Sequence, residues 1–187
     1  SATTRGFTKF HVIGDLTIDA GASYVGKEWE GDGKTKTVLT IDPAADVANC
    51  IFSKAVVTGV LDGGSRIVDA IVQNITYLDG FVERCEIEDD VTLSGATKAY
   101  FIDCYAGQIS ETPNIDCGGS GTEVVLRGWR GHVMFLNKTG PEPLSATLDG
   151  GHVMLDATVS DGPIEIRGVG NVTDNSTGTA VVDITDL

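Results

Sequence analysis

One four-residue string occurs twice in this chain: Gly131-His132-Val133-Met134 returns as Gly151-His152-Val153-Met154, 20 residues later. A fold in which each strand occupies a unique place has no reason to repeat residues in register. A solenoid does, because one short unit is stacked on copies of itself. A looser pattern runs through the middle of the chain: an apolar residue, a small core residue three positions on, and another small or apolar residue two further. It reads Val47, Cys50, Phe52, then Ile67, Ala70, Val72, then Val82, Cys85, Ile87, then Phe101, Cys104, Ala106, with anchors stepping by 20, 15 and 19 residues.

Turn signals separate these units, among them Asp62-Gly63-Gly64, Asp79-Gly80, Ser94-Gly95, Gly118-Gly119, Gly140-Pro141 and Asp161-Gly162-Pro163. Glycine supplies the positive φ that such corners need. Between them lie short alternating pieces rich in β-branched residues, such as Thr37-Val38-Leu39-Thr40-Ile41 and Ile164-Glu165-Ile166-Arg167, which have the form of strands with one buried face. The sequence therefore predicts an all-β right-handed parallel β-helix of about seven short rungs at the strand spacing of roughly 4.8 Å. Cys50, Cys85 and Cys104 are expected to stack as an inward ladder. An antiparallel β-sandwich or jelly roll is the alternative, since it too has short strands and regular turns. Residues 1–36 differ in texture: Phe7, Phe10, Tyr24 and Trp29 concentrate there among glycines. They are expected to form an N-terminal cap or attachment segment ahead of a β-helix domain at 37–187. Phe10-His11-Val12-Ile13 and Leu16-Thr17-Ile18 are candidates within it for a first irregular rung.

Composition narrows the partners. The chain has 27 acidic against 13 Lys and Arg residues, a formal net charge of -14, and such a surface repels phosphate backbones, so no nucleic-acid partner is expected. No stretch approaches the roughly 20 apolar residues of a membrane span, and none is expected to insert. No charged region followed by an apolar run opens the chain, so no signal peptide is expected. The start at Ser1-Ala2-Thr3-Thr4-Arg5-Gly6 fits either a natural terminus or a cut edge of something longer. Cys50, Cys85, Cys104 and Cys117 lack zinc-site pairing and disulfide-scaffold density; free buried thiols are expected, in keeping with synthesis in a reducing cytoplasm.

Certain phrases are familiar in kind. Gly80-Phe81-Val82-Glu83-Arg84-Cys85, Asn137-Lys138-Thr139-Gly140-Pro141, Leu148-Asp149-Gly150, Arg167-Gly168-Val169-Gly170 and Thr173-Asp174-Asn175-Ser176-Thr177-Gly178 resemble C-terminal portions of phage and prophage virion proteins of the tail-fibre or tailspike type. The resemblance spans about residues 37–187 and is one of texture, without a catalytic motif. It implies a β-helical homotrimer made in a bacterial host's cytoplasm, located in the virion, associated with other virion proteins and engaging a bacterial surface glycan. Some such proteins also cleave glycans, and others decorate the virion without a receptor role.

For chemistry, the chain offers several candidates. Glycan cleavage needs a general acid and a second carboxylate a few ångströms away, and Glu86, Glu88, Asp89, Asp90, Asp103 and Asp116 are the candidates. The simpler expectation is that they edge strands and turns, so no catalytic residue is assigned and the chain is expected not to be an enzyme. His132 and His152 lie one repeat apart and should stack on one face, yet two imidazoles fall short of a zinc site. Asp62-Gly63-Gly64 and Asp149-Gly150-Gly151 lack the consecutive nine-residue repeats of calcium β-rolls. Gly118-Gly119-Ser120-Gly121 lacks the Lys and helix of a phosphate loop. No cofactor or metal is expected. The best binding candidate is Arg127-Gly128-Trp129-Arg130-Gly131-His132, a basic and aromatic spot in an acidic chain. Trp129, Arg127, Arg130 and His132 are the residue types that stack on sugars or hold acidic glycans; burial of Trp129 under a loop or between protomers is the competing expectation. Phe52, Phe81, Phe101 and Phe135 are expected in the core, leaving Tyr77, Tyr100, Tyr105 and Trp129 as aromatics available to a ligand.

Overall fold

The computed structural model describes residues 8–21, 23–77, 79–93, 98–107, 112–119 and 123–185, without the side chain of Tyr77. Phe7, the opening Ser1 to Gly6, the Ser94-Gly95 turn and Ser120-Gly121 lie outside the described residues. Among those described there is no helix, including over Ala44 to Asn49. The early strands are β1 (Lys9–Val12), β2 (Leu16–Ile18), β3 (Glu28–Gly31), β4 (Val38–Ile41), β5 (Ile51–Ser53) and β6 (Val56–Leu61). Next come β7 (Ser65–Val68), β8 (Ile71–Tyr77), β9 (Gly80–Glu83), β10 (Glu86–Ile87), β11 (Val91–Leu93) and β12 (Lys98–Ile102). The last are β13 (Tyr105–Ala106), β14 (Asn114–Gly119), β15 (Glu123–Lys138), β16 (Leu144–Leu155), β17 (Pro163–Asp174) and β18 (Val181–Thr185).

All pair in parallel, giving a β-solenoid of about nine turns. At the parallel strand spacing the stack is about 43 Å long. Three columns of strands surround the core. The first runs β1, β3, β5, β7, β9, β12 and the opening halves of β15, β16 and β17, and ends on β18. Its inward row passes through Trp29, Phe52, Ile67, Val82, Phe101, Leu126, Ala146 and Ile166, all buried. In this row each apolar residue lies over its neighbour, so a unit too small to enclose a core gains one by stacking.

The literal repeat is a stacked pair: Gly131, His132, Val133 and Met134 sit on Gly151, His152, Val153 and Met154 in register. Glycine recurs there for a steric reason. Gly151 has φ of 143°, and a Cβ on it would collide with the Gly131 carbonyl.

The strands turn between the first and second columns at one recurring corner. Lys54, Asp69, Arg84 and Asp103 each adopt left-handed φ of 52° to 54° there, and Gly128 takes the place on the next turn at 65°. The residue that follows points inward, and the row reads Ala55, Ala70, Cys85, Cys104, Trp129. The expected cysteine ladder is therefore half right. Cys85 and Cys104 stack, with Tyr105 N donating to Cys85 O at 3.0 Å, but Cys50 does not join them. Phe52, not Val47, pairs with Ile67, which moves Cys50 to the row of buried Ser65.

The strands that precede residue 37 pair in parallel with later ones, as the first-rung candidates Phe10-His11-Val12-Ile13 and Leu16-Thr17-Ile18 suggest. β1, β2 and β3 are themselves rungs, which is why the turns number about nine rather than seven. The aromatics of this segment close one end of the core: Phe10 stacks on Trp29 at 4.4 Å, and Tyr24 meets it edge-on at 5.4 Å.

Candidate functional site

The four residues expected to bind are separated by corners of the solenoid. Arg127 stands exposed on the first column. Trp129 turns inward and is fully buried, with its ring edge-on to Phe101 at 6.5 Å. It continues the inward corner row after Cys104, so its face fills the core of the solenoid, rather than lying under a loop, and is closed to a sugar. Arg130 is exposed on the second column, and its guanidinium lies over the Tyr105 ring at 5.6 Å. The Tyr105 hydroxyl donates to Glu86 at 3.3 Å, and burial together with that carboxylate holds its proton more tightly than usual. Tyr105, Ala106, Arg130 and Gly131 line a shallow cavity of about 270 Å³. Around the Gly131 corner, His132 and His152 meet edge-on at 5.5 Å, and His152 Nε2 lies 2.8 Å from the Thr173 hydroxyl.

Electrostatics distinguish this corner. Among the described arginines, Arg66, Arg84 and Arg167 each pair with a carboxylate, whereas Arg127 and Arg130 pair with none. Two unpaired guanidiniums flank one corner of a chain whose net charge is -14.

Five of the six candidate carboxylates are bound to neighbouring side chains. Glu88 accepts from Gln73, Asp89 from Asn74 at 3.1 Å and Asp90 from Asn114 at 2.9 Å. Asp116 accepts from Asn137 at 2.9 Å and from the Gly118 amide at 2.9 Å, and Glu86 receives Tyr105. Each of the bonds from a side chain joins one rung to the next, which is a structural use of a carboxylate. The Asp62 carboxylate likewise accepts from the Val47 amide at 2.8 Å. No group of three or more His, Cys, Asp or Glu is arranged to hold a metal among the described residues, and no helix is long and apolar enough to cross a membrane.

A second feature was missed by the sequence reading. Phe81, expected in the core, faces outward at 39% exposure and stacks on Tyr100 at 4.7 Å with ring planes 9° apart; the Arg66 guanidinium covers its other face at 5.7 Å. The signal was available: Val82 matches Ile67 in the repeat, so its neighbour must point away from the core. Because each ring's face is taken by its neighbour on the next rung, this row presents edges and offers no open platform for a sugar. Phe52, Phe101 and Phe135 are buried as expected. Comparison with known protein families, with curated proteins and with solved structures gave no match.

Proposed function

We propose that the chain is a non-enzymatic, rigid solenoid module of a phage virion surface that engages an acidic glycan. The virion setting rests on the resemblance of its phrases to tail-fibre and tailspike proteins. The observation that carries the binding reading is the pair of unpaired guanidiniums, Arg127 and Arg130, on either side of the Trp129 corner in a strongly acidic chain. Arg130 projects beside a shallow cavity, with its guanidinium fork available to a carboxylate or sulfate. The rung-to-rung bonds of Glu86, Glu88, Asp89, Asp90 and Asp116 favour a structural over a catalytic use of the acids.

Titration of the whole chain with a polyuronate and with neutral dextran tests this reading. Binding of the polyuronate alone is expected, weakening as salt rises, and Arg130→Ala should weaken it at least tenfold, about 1.4 kcal/mol. Equal binding of dextran, or unchanged affinity in a double Arg127→Ala, Arg130→Ala variant, would overturn it. Release of reducing ends from a host polysaccharide, lost on Asp89→Asn or Asp116→Asn, would establish the glycan-cleaving alternative instead.

A further inference from the structure

Two of the described guanidiniums lie over an aromatic ring, and the carboxylates near them behave differently. Arg66 covers Phe81 at 5.7 Å and is also held by the Glu83 carboxylate. Arg130 covers Tyr105 at 5.6 Å and has no ion pair among the described residues. A carboxylate is nevertheless within its reach. Glu86, Tyr105 and Arg130 stand in register on three successive rungs, so Glu86 and Arg130 are two strand spacings, roughly 10 Å, apart at Cα. An arginine and a glutamate side chain together span that gap, and a free carboxylate there would attract the guanidinium.

A single oxygen separates the two cases. The Phe81 ring carries no polar atom, and Glu83 is left to Arg66. The Tyr105 hydroxyl instead donates to Glu86 Oε2 at 3.3 Å. Burial, and then that carboxylate, raise the phenol above its ordinary range, so the donor persists at neutral pH. Gly107 gives the carboxylate its room, since a Cβ there would lie 3.1 Å from Glu86 Oε1 and 2.7 Å from Glu88 Cγ. Glu88 itself is taken by Gln73.

We infer that Tyr105 is the positioning residue of the acidic-glycan site: its hydroxyl holds Glu86 away from Arg130 and so keeps the guanidinium fork open to a carboxylate or sulfate. The consequence for glycans rests on the function proposed above, whereas the contact between the three side chains does not.

Modification of the whole chain by phenylglyoxal, read peptide by peptide by mass spectrometry, tests the contact without any glycan. A guanidinium held by a carboxylate keeps its proton more tightly and reacts more slowly than a free one. In the native chain Arg130 should react faster than Arg84, which Asp69 holds through two nitrogens at 2.9 Å. Tyr105→Phe keeps the ring and removes the donor, and should slow Arg130 about threefold, the scale of an exposed ion pair. Adding Glu86→Gln should restore the native rate, which a mere loss of packing would not allow. Polyuronate affinity should follow the same order, lowered about threefold in Tyr105→Phe and restored in the double variant. Arg130 reacting as fast in Tyr105→Phe as in the native chain, or slow modification that Glu86→Gln leaves in place, would overturn the inference. So would a native polyuronate affinity retained by Tyr105→Phe. If the modification pattern holds while the native chain binds no polyuronate, the function proposed above fails and the part of Tyr105 in keeping Arg130 unpaired stands.

Discussion

Glu30 is gripped by two lysines from the rungs on either side, Lys54 at 2.6 Å and Lys9 at 2.6 Å. The Lys54 bond, then the Lys9 bond, hold its carboxyl down at about 2, against an ordinary value of 4.5. A carboxylate whose folded value is depressed stabilises the fold fully above its unfolded value, and that contribution is lost as pH falls through the folded one. The rungs around β3 should therefore loosen between about pH 4.5 and about pH 2. A nuclear magnetic resonance titration of Glu30 would show this, and Glu30→Gln should remove the local transition; an unchanged acid profile in that variant would rule the contact out as its source. Elsewhere, burial sets the behaviour of single groups. Cys117 is pushed up to about 12 by burial, Cys104 is raised by contact with Cys85 and then by burial, and burial lowers Lys138. Lys138 is almost wholly buried yet satisfied, its ammonium donating to the carbonyls of Gly140 and Asp161, as a buried cation must be.

At the scale of the strand, β15 shows how one corner accommodates a large residue. Four successive turns place Ala55, Ala70, Cys85 and Cys104 at the inward corner position, and the fifth places Trp129 there. The indole fills the width that small residues leave elsewhere in that row, against Phe101. Trp129→Ala should accordingly cost about 3–5 kcal/mol, the range for deleting a buried large aromatic. Denaturant unfolding would measure it. A loss below about 1 kcal/mol would place Trp129 at the surface in solution. Polyuronate binding by the folded fraction should survive this change, because the indole face is already occupied by the core.

For the whole molecule, stability follows from the one-dimensional stacking. Interior rungs have a neighbour on each side, and terminal rungs have one. At the C-terminal end Val169 is 70% exposed, Val181 68% and Ile184 42%, while every inward residue of the first column from Phe52 to Ile166 is buried. Amides of β18 and of the second half of β17 should therefore exchange with solvent faster than those of β5 to β9, approaching local rather than global opening. Hydrogen exchange resolved by peptide would show the gradient. Uniform protection from β3 to β18 would mean that something covers the last rung.

Parallel stacking was legible before any coordinates, because a solenoid writes its period into the chain: Gly131-His132-Val133-Met134 could recur only if the second copy met the same surroundings as the first. The inward rows through Ile67, Val82 and Phe101 and through Ala70, Cys85 and Cys104 were legible for the same reason. Register was not. Corners differ in length from turn to turn, so the step between rungs varies, and a shift at the first anchor put Val47 where Phe52 belongs and misplaced Cys50. In residues 1–36 glycines and aromatics interrupt the alternation, which gives the texture of a cap or attachment segment; that Phe10-His11-Val12 and Leu16-Thr17-Ile18 pair with later strands is decided by tertiary structure. For Trp129, inside or outside was decided by tertiary structure, since the left-handed corner at Gly128 turns it inward. For Phe81 the repeat already held the answer, since it stands beside the inward Val82. What the corner separates in space, Arg127 from Arg130, the linear sequence had placed together. Hydrophobic periodicity specifies which faces can stack, while the backbone corners fix which side chains meet.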